Sequence, residues 1–320
     1  SKNNKGTTPG LLRLILATNQ LQHWNPDVVF AHFGPNGIKA LKLKKLGLIT
    51  GKIYVFIHGY DATSYIQQNG WGVYQDLFDD PDVHFLTVSE YFYKKFISFG
   101  ADPLKISVHR MGVDLNKFSP PPKNRLNDKI RITSVSRLVP KKGIHFALKS
   151  FRAMHELGIL DPRIEYNIIG DGPDLALLKD FCEDAELDCV TFHGSKSRDE
   201  VREALENTDL FLATSIKGQN GDEEGVPVSI MEALAMEIPV ITTLHSGIPE
   251  IISHNENGIL IIQNDIEDFI EKFRALIDNK TFWPEMGLHG RQTVKTQFNL
   301  NTWNTKLGDF ALAATKENNN

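Results

Sequence analysis

Cysteine, long apolar runs and a strong net charge are all scarce in this chain of 320 residues. Two cysteines, Cys182 and Cys189, cannot build a disulfide framework or a four-cysteine metal site. No apolar run approaches the roughly 18 residues that span a bilayer, and Leu11–Ala17, the nearest candidate for a signal-peptide core, is interrupted by Arg13. A net charge of −5 argues against a nucleic-acid binder with a broad basic surface. We therefore expect a cytoplasmic protein with reduced cysteines.

Length and charge distribution predict two domains. The chain is about twice as long as a typical domain of roughly 150 residues. Residues 1–128 carry 15 Lys and Arg against 10 Asp and Glu, whereas residues 129–320 carry 20 against 30. Consecutive prolines after Ser119 indicate an extended linker, because proline excludes helix and sheet pairing. The predicted divisions are a first domain at 1–118, a linker at 119–128, a second domain at 129–302, and a C-terminal helix and tail at 303–320.

In the second domain, short β-branched runs alternate with amphipathic segments. Six strands are predicted, at 130–136, 164–169, 190–192, 210–214, 239–242 and 258–262. Helices are predicted near 143–157, 174–186, 198–206, 227–236 and 265–277. Continuous apolar strands that alternate with helices are typical of α/β proteins with a parallel, doubly wound sheet.

The first domain shows the same alternation with fewer strands. About four are predicted, at 27–31, 52–57, 83–88 and 106–108, with helices near 36–46 and 90–99. A last helix is predicted at 301–316. We therefore expect two Rossmann-like domains, of which the first is incomplete and lacks its first one or two strands.

Unusual residues follow the predicted strands of the second domain, at the edge where doubly wound sheets bind ligands. Arg137 and Lys142 follow its first strand and precede a helix, whose free amides favour an anion. Two cations there suit a diphosphate, and solvated surface residues are the alternative. Gly170 and Gly194 follow the next two strands. Because Leu175 replaces the third glycine of the dinucleotide fingerprint, the first of these loops favours a tight turn over a dehydrogenase site.

Two glutamates flank the start of the helix predicted over 227–236. Pro227 suits the first helical turn, so Glu224 lies in the preceding loop and Glu232 about a turn and a half inside the helix. A loop carboxylate can reach sugar hydroxyls, and one in this apolar helix can hold a vicinal diol such as ribose. A capping glutamate and a solvated one are the alternative. Free amides at Val228 and Ser229 can meet a phosphate.

Three features of the first domain stand out. His58 directly follows a predicted strand, where a hydrogen-bonded structural histidine is the alternative to a functional one. The string Asp80-Pro81-Asp82 matches a metal-holding D-x-D, but it precedes a strand, so we interpret it as a turn and predict no metal site. Helix 36–46 carries a basic surface, which is either solvated or in contact with anionic lipid. The lysines concerned are Lys39, Lys42, Lys44 and Lys45.

Taken in order, these motifs resemble the family-4 type of retaining GT-B glycosyltransferases. The resemblance rests on Arg137 and Lys142-Gly143, the Gly170–Pro173 turn, the two glutamates, and Ser246-Gly247-Ile248-Pro249-Glu250. The segments 221–227 and His32-Phe33-Gly34-Pro35 are most similar to bacterial exopolysaccharide enzymes of the colanic-acid and amylovoran kind, and 111–120 is similar to their interdomain junction.

The resemblance implies transfer of a hexose from a UDP- or GDP-sugar on the second domain to a saccharide or lipid-linked acceptor on the first. It implies retention of configuration, no metal and no cofactor. Arg137 and Lys142 would hold the diphosphate and stabilise the leaving group, Glu232 the ribose and Glu224 the sugar, while His58 would approach from the facing domain. Other donor-binding positions would be Gly170, Gly194, Gly225, Val228 and Ser229. A protein that binds nucleotide sugar without turnover is the alternative function.

Overall fold

The computed structural model describes residues 25–120 and 128–318. In the first part, four parallel strands form one sheet in the order β1-β2-β3-β4. They are β1 (Val28–His32), β2 (Lys52–Ile57), β3 (Val83–Thr87) and β4 (Ile106–Val108). Each lies within one residue of its predicted position. The segment Leu11–Ala17 lies outside the described residues, as do all residues before 25, so the expected absence of the first one or two strands stays a prediction.

A second sheet of six parallel strands has the order β10-β9-β8-β5-β6-β7. All six lie within one residue of their predicted positions, which confirms the doubly wound α/β fold. They are β5 (Ile130–Val135), β6 (Ile164–Ile169), β7 (Val190–Phe192), β8 (Leu210–Ala213), β9 (Val240–Thr243) and β10 (Gly258–Ile261). Strand order reverses between β5 and β8, and ligands bind at such a point because two loops diverge there and leave a crevice.

Eight helices lie within two residues of the predicted positions. They are α1 (Gly34–Lys45), α4 (Glu90–Ser98), α5 (Ile144–Glu156), α6 (Leu175–Asp184), α7 (Arg198–Glu206), α8 (Val228–Ala235), α9 (Ile266–Asp278) and α11 (Leu300–Asn318). Among the described residues, three further helices were missed: α2 (Ser64–Asn69), α3 (Gln75–Asp79) and α10 (Trp283–Gln297).

Helix α10 contains Gly287 and Gly290, which lower helix propensity and hide its pattern in the sequence. The folded chain uses both glycines for close packing. A Cβ on Gly290 would lie 2.6 Å from the Leu234 side chain of α8, and one on Gly287 would lie 2.2 Å from the carbonyl oxygen of Glu237. Tertiary packing therefore stabilises a helix that local propensity does not favour.

The C-terminal helix α11 returns to the first sheet. Its Ala314 is buried, and with Phe310 it packs on Tyr54 and Phe56 of β2. The chain passes between the domains near Val113 and again near Leu300, and these two segments lie side by side. The amide of Val113 donates to the carbonyl of Phe298, and the amide of Leu300 donates to the carbonyl of Val113. Within the predicted linker 119–128, residues 121–127 lie outside the described part of the chain.

The turn after β6 depends on a glycine. Gly170 has a φ of 140°, and a Cβ there would lie 1.8 Å from the carbonyl oxygen of Ser136. We expect Gly170→Ala to lower the free energy of unfolding by about 2–4 kcal/mol, through backbone strain and overlap. The measurement is denaturant unfolding.

Gly308→Ala is the matched control. Gly308 lies exposed in α11, where a Cβ meets no atom within 4 Å. We expect this variant to gain about 0.5–1 kcal/mol from helix propensity. Equal unfolding midpoints for the two variants would contradict the packing argument at Gly170.

Candidate functional site

A cluster of two lysines and two carboxylates fills the point where strand order reverses. After β5 the chain makes a 3₁₀ turn, Pro140–Lys142, before α5 begins. The Nζ of Lys142 lies 3.0 Å from Oε1 of Glu224, in the loop between β8 and α8. Lys141 lies 3.3 Å from the same oxygen and 2.9 Å from Oδ2 of Asp222. The structure thus brings together two predicted residues, Lys142 and Glu224, and adds Lys141.

Burial and charge act in opposite directions on Glu224. Its side chain is only 12% exposed, and this burial by itself raises the pKa of the carboxyl. Lys142 and Lys141 outweigh burial, so the pKa lies below its ordinary value. Glu224 is therefore an ionised carboxylate at neutral pH, held next to two ammonium groups.

Arg137 is exposed in the loop after β5, five residues before Lys142. Its guanidinium has no hydrogen bond or ion pair with any side chain in the described parts of the molecule. Helix α8 begins at Val228, with Pro227 as its N-cap and no side chain capping its first amides. Ser229 and Lys142 line one small cavity of about 10 Å³. An exposed guanidinium, an ammonium and a helix N-terminus together attract an anion.

Glu232 lies inside α8 and is 7% exposed. Its nearest cation is the guanidinium of Arg198, at 3.7 Å. Burial raises the pKa of Glu232, and Arg198 and Lys117 only partly oppose the rise. The apolar flank of this residue in the sequence correctly indicated a buried carboxylate that needs a partner.

The two predicted glycines of the neighbouring loops lie side by side. The amide of Gly170 donates to the carbonyl of Gly194 at 2.8 Å. A Cβ on Gly194 would meet no atom within 4 Å, so this glycine borders open space. The loops after β5, β6 and β7 therefore lie together at one edge of the sheet.

His58 follows β2 in the first domain and pairs with a second histidine. Its Nε2 lies 3.0 Å from Nδ1 of His32, at the end of β1. Burial, with a smaller effect of His32, lowers the pKa of His58 to about 4, so the ring is neutral at pH 7. The sequence placed His58 at the end of its strand but gave no sign of this partner.

Asp61 fixes the turn that carries His58. Its carboxylate is fully buried and accepts hydrogen bonds from the amides of Gly34, His58 and Gly59, at 2.9–3.0 Å. Burial raises the pKa of Asp61, and these backbone hydrogen bonds oppose the rise. Asp61 lies three residues after His58 in the sequence, but its role depends on α1, which is distant along the chain.

The loop between β8 and α8, which carries Glu223 and Glu224, contacts both domains. A Cβ on Gly225 would lie 2.8 Å from the Val88 side chain and 3.5 Å from the His58 carbonyl oxygen. Glu223, next to Glu224, accepts a hydrogen bond from the Tyr91 hydroxyl at 2.8 Å and pairs with Lys95 at 3.0 Å. His58 therefore lies close to the loop that carries Glu224.

A second bridge joins the domains at α4. The carboxylate of Glu250 accepts from the amides of Glu90 and Tyr91, at 3.0 and 2.9 Å, and pairs with Arg110 at 3.0 Å. It thus neutralises the N-terminus of a helix in the opposite domain. Glu250 was part of a sequence motif, but the pattern gave it no role.

The remaining features considered in the sequence are the Asp80-Pro81-Asp82 string, metal sites, the two cysteines and membrane-spanning helices. Asp80-Pro81-Asp82 forms a turn before β3, and Asp82 pairs with Lys44 at 2.7 Å. Within the described residues, no group of three or more His, Cys, Asp or Glu is placed to hold a metal ion. Both cysteines are free thiols. None of the described helices is long and apolar enough to cross a membrane.

Sequence relatives match most of the chain. WcaL of Escherichia coli strain K12, named as a colanic acid biosynthesis glycosyltransferase, is 38% identical over 291 residues, covering 90% of this chain and 70% of WcaL. The amylovoran biosynthesis glycosyltransferase AmsK of Erwinia amylovora is 35% identical, with the same coverage of 90% and 70%.

Structure and family comparisons agree. The crystal structure of Anabaena HepE in complex with UDP and glucose superposes with a TM-score of 0.77 at 16% identity, covering 89% of this chain and 77% of HepE. This likeness concerns the fold, which is GT-B. The family model described as "Glycosyl transferases group 1" matches residues 116–292. The chain therefore belongs to the group 1 glycosyl transferases.

Proposed function

We propose that this chain transfers a hexose from a nucleotide-diphosphate sugar to a saccharide or lipid-linked saccharide, with retention of configuration and without a metal ion. We place the reaction in the synthesis of an exopolysaccharide or another cell-surface glycan, in line with the names of WcaL and AmsK. One observation carries the proposal. At the reversal of strand order, Lys142 pairs with Glu224 and lines a cavity with Ser229 at the uncapped start of α8, while Arg137 is exposed in the same loop as Lys142.

The charge balance of this site supports a diphosphate donor. Two phosphate groups need neutralisation, and Arg137 offers a guanidinium that no described side chain engages. Lys142 offers an ammonium, and the amides of Val228 and Ser229 add the partial charge of a helix N-terminus. Such cations can stabilise the leaving diphosphate in the role that a metal has in other enzymes. HepE, of the same fold, binds UDP.

Two carboxylates are suited to the remaining parts of the donor. Glu232 is buried inside α8, where Arg198 at 3.7 Å and Lys117 only partly offset its burial, so it can accept hydrogen bonds from the hydroxyls of a ribose. Glu224 is ionised and faces the lysines, so it can accept hydrogen bonds from a sugar held beside the diphosphate. His58 is neutral and lies across the loop, from where it can contact the sugar.

The reaction balances without a protein nucleophile. The bond between the anomeric carbon and the diphosphate oxygen breaks, and a bond to the acceptor oxygen forms on the same face. The acceptor hydroxyl passes its proton to the departing phosphate oxygen. Lys142 and Arg137 stabilise the negative charge that develops there. In a two-carboxylate glycosidase, by contrast, a side chain accepts the sugar or the proton.

Lys39 and Lys42 support peripheral contact with an anionic membrane by a cytoplasmic enzyme. Both are exposed on α1, near the exposed side chain of Leu46. Lys45, which the sequence grouped with them, pairs with Asp76 at 3.0 Å, and Lys44 pairs with Asp82. The basic surface is therefore smaller than the sequence indicates, since two of its four charges have partners.

Nucleotide binding tests the donor site. We expect UDP or GDP to bind without divalent cations, and Arg137→Ala and Glu232→Ala each to weaken binding by about tenfold or more, because each removes a charged hydrogen bond of about 1.5–3 kcal/mol. Isothermal titration calorimetry in EDTA measures this. Arg152→Ala, which removes an exposed arginine paired with Glu156 in α5, is the control. Unchanged affinity in both site variants would reject the site.

Transfer tests the chemistry. With a UDP- or GDP-hexose and a lipid extract, we expect a glycosylated product that keeps the anomeric configuration of the donor, as measured by NMR. Lys142→Ala should lower kcat by about 10²-fold through loss of charge stabilisation, whereas Lys179→Ala, on the exposed side of α6, should not. Activity that requires a divalent cation would contradict metal independence. Binding without any transfer would instead favour a nucleotide-sugar-binding protein.

Membrane contact has its own test. We expect the affinity for vesicles that contain anionic lipid, measured by sedimentation, to fall about 30-fold in the double variant of Lys39 and Lys42 to serine, since each lysine contributes about 1 kcal/mol near the surface. The double variant of Lys179 and Lys295 to serine has the same net charge and is the control. Sedimentation that does not depend on anionic lipid would exclude this contact.

A further inference from the structure

The backbone amide of Glu224 is hydrogen-bonded to a histidine side chain and not to a helix or strand. Glu224 lies in the irregular segment between β8 and α8. Its amide donates to Nε2 of His245 at 3.2 Å. His245 follows β9 and is 3% exposed, so this hydrogen bond is shielded from water.

Gln263 determines which nitrogen of His245 carries the proton. The Oε1 of Gln263 accepts from the amide of Lys217 at 2.9 Å, and its Nε2 donates to the carbonyl of Leu244 at 3.0 Å. These two contacts fix the orientation of the side-chain amide. Since Oε1 lies 3.1 Å from Nδ1 of His245, Nδ1 must be the donor. Nε2 is then free of a proton and accepts from Glu224.

We propose that His245, held in its neutral Nδ1-protonated form by Gln263, is the positioning residue that aims the Glu224 carboxylate at Lys142. The inference rests on the proposed function, in which Glu224 contacts the donor sugar. His245 acts through the peptide of Glu224 and touches no substrate itself. A displacement of about 1 Å at such a position can cost about 10²-fold in rate.

Burial favours the neutral His245 ring, although most of the groups that face it favour the charged one. Burial is the largest effect and lowers its pKa, and Lys141 lowers it further. The hydrogen bond to Gln263 and the carboxylates of Glu223 and Glu224 raise it, but the net shift is downward. As pH falls through this lowered pKa, a proton on Nε2 removes the acceptor for the Glu224 amide. We therefore expect activity to decline at acid pH in part through the loss of this hydrogen bond.

Two substitutions of His245 distinguish the effect of its hydrogen-bond acceptor from the effect of its ring shape. His245→Phe keeps a ring and removes the acceptor, so we expect kcat/KM to fall about 10–100-fold. His245→Gln restores an acceptor, so we expect recovery to within about fivefold of the parent chain. His254→Phe is the matched control, because His254 also accepts a backbone hydrogen bond, from Leu260 at 3.0 Å, away from Glu224. Equal losses in His245→Phe and His245→Gln, or none, would overturn the proposal.

Gln263→Glu supplies a readout that a purely structural role would not change. A carboxylate beside Nδ1–H raises the pKa of an imidazole. We therefore expect the acidic limb of the pH–rate profile to move up by about one unit. The thermal midpoint, measured in parallel, reports the cost of losing the contact with Leu244. An unmoved acidic limb would contradict the proposal.

Imidazole nitrogen NMR tests the proton position without any activity assay. We expect the His245 signal, identified by its loss in His245→Phe, to show a neutral ring protonated at Nδ1 at pH 7. A ring protonated at Nε2 would overturn the proposal whether or not the chain transfers sugar. Absence of donor binding and transfer in the parent chain would reject the proposed function alone.

Discussion

Two adjacent carboxylates, both largely buried and together bound to both domains, constrain the whole site. Glu223 binds Tyr91 and Lys95 in the first domain and Lys217 in the second, and Glu224 binds Lys141 and Lys142 in the second. Removing one partner of a buried ion pair costs about 3–5 kcal/mol, because the other charge stays buried without compensation. The position of this loop therefore depends on contacts with both domains.

The reversal of strand order explains why this loop lies at the site. The strand order of the second sheet reverses between β5 and β8, so the loops that follow these two strands diverge and leave a crevice. Lys142 comes from one loop and Glu224 from the other. Across the crevice, Glu250 is bound at the N-terminus of α4, and Asp61 holds the turn of His58. In both Glu250 and Asp61, the carboxylate accepts hydrogen bonds from backbone amides that no helix or strand satisfies.

Local sequence patterns were most informative for the strands. Strands such as β2, β8 and β9 are buried on both faces, so their apolar, β-branched pattern is continuous and its ends are sharp. Helix α10 was missed because Gly287 and Gly290 weaken its local signal, and its stability comes from packing on Leu234. Lys142 and Arg137 were predicted from their positions after a strand, and Glu224 and Glu232 from their positions around a helix start. Lys141 adjoins Lys142 in sequence, yet no local pattern distinguishes their roles, since both distances to Glu224 depend on the fold.

By itself, the sequence determined the order of strands and helices and the placement of polar loops at strand ends, because these depend on residues near one another in the chain. Tertiary structure alone decided which charges meet, and therefore which groups are ionised. His58 is paired with His32, and Glu224 with both Lys142 and His245, across gaps of 21 to 82 residues. Burial and the distance to a charge shift a pKa, and neither quantity exists until distant segments pack together.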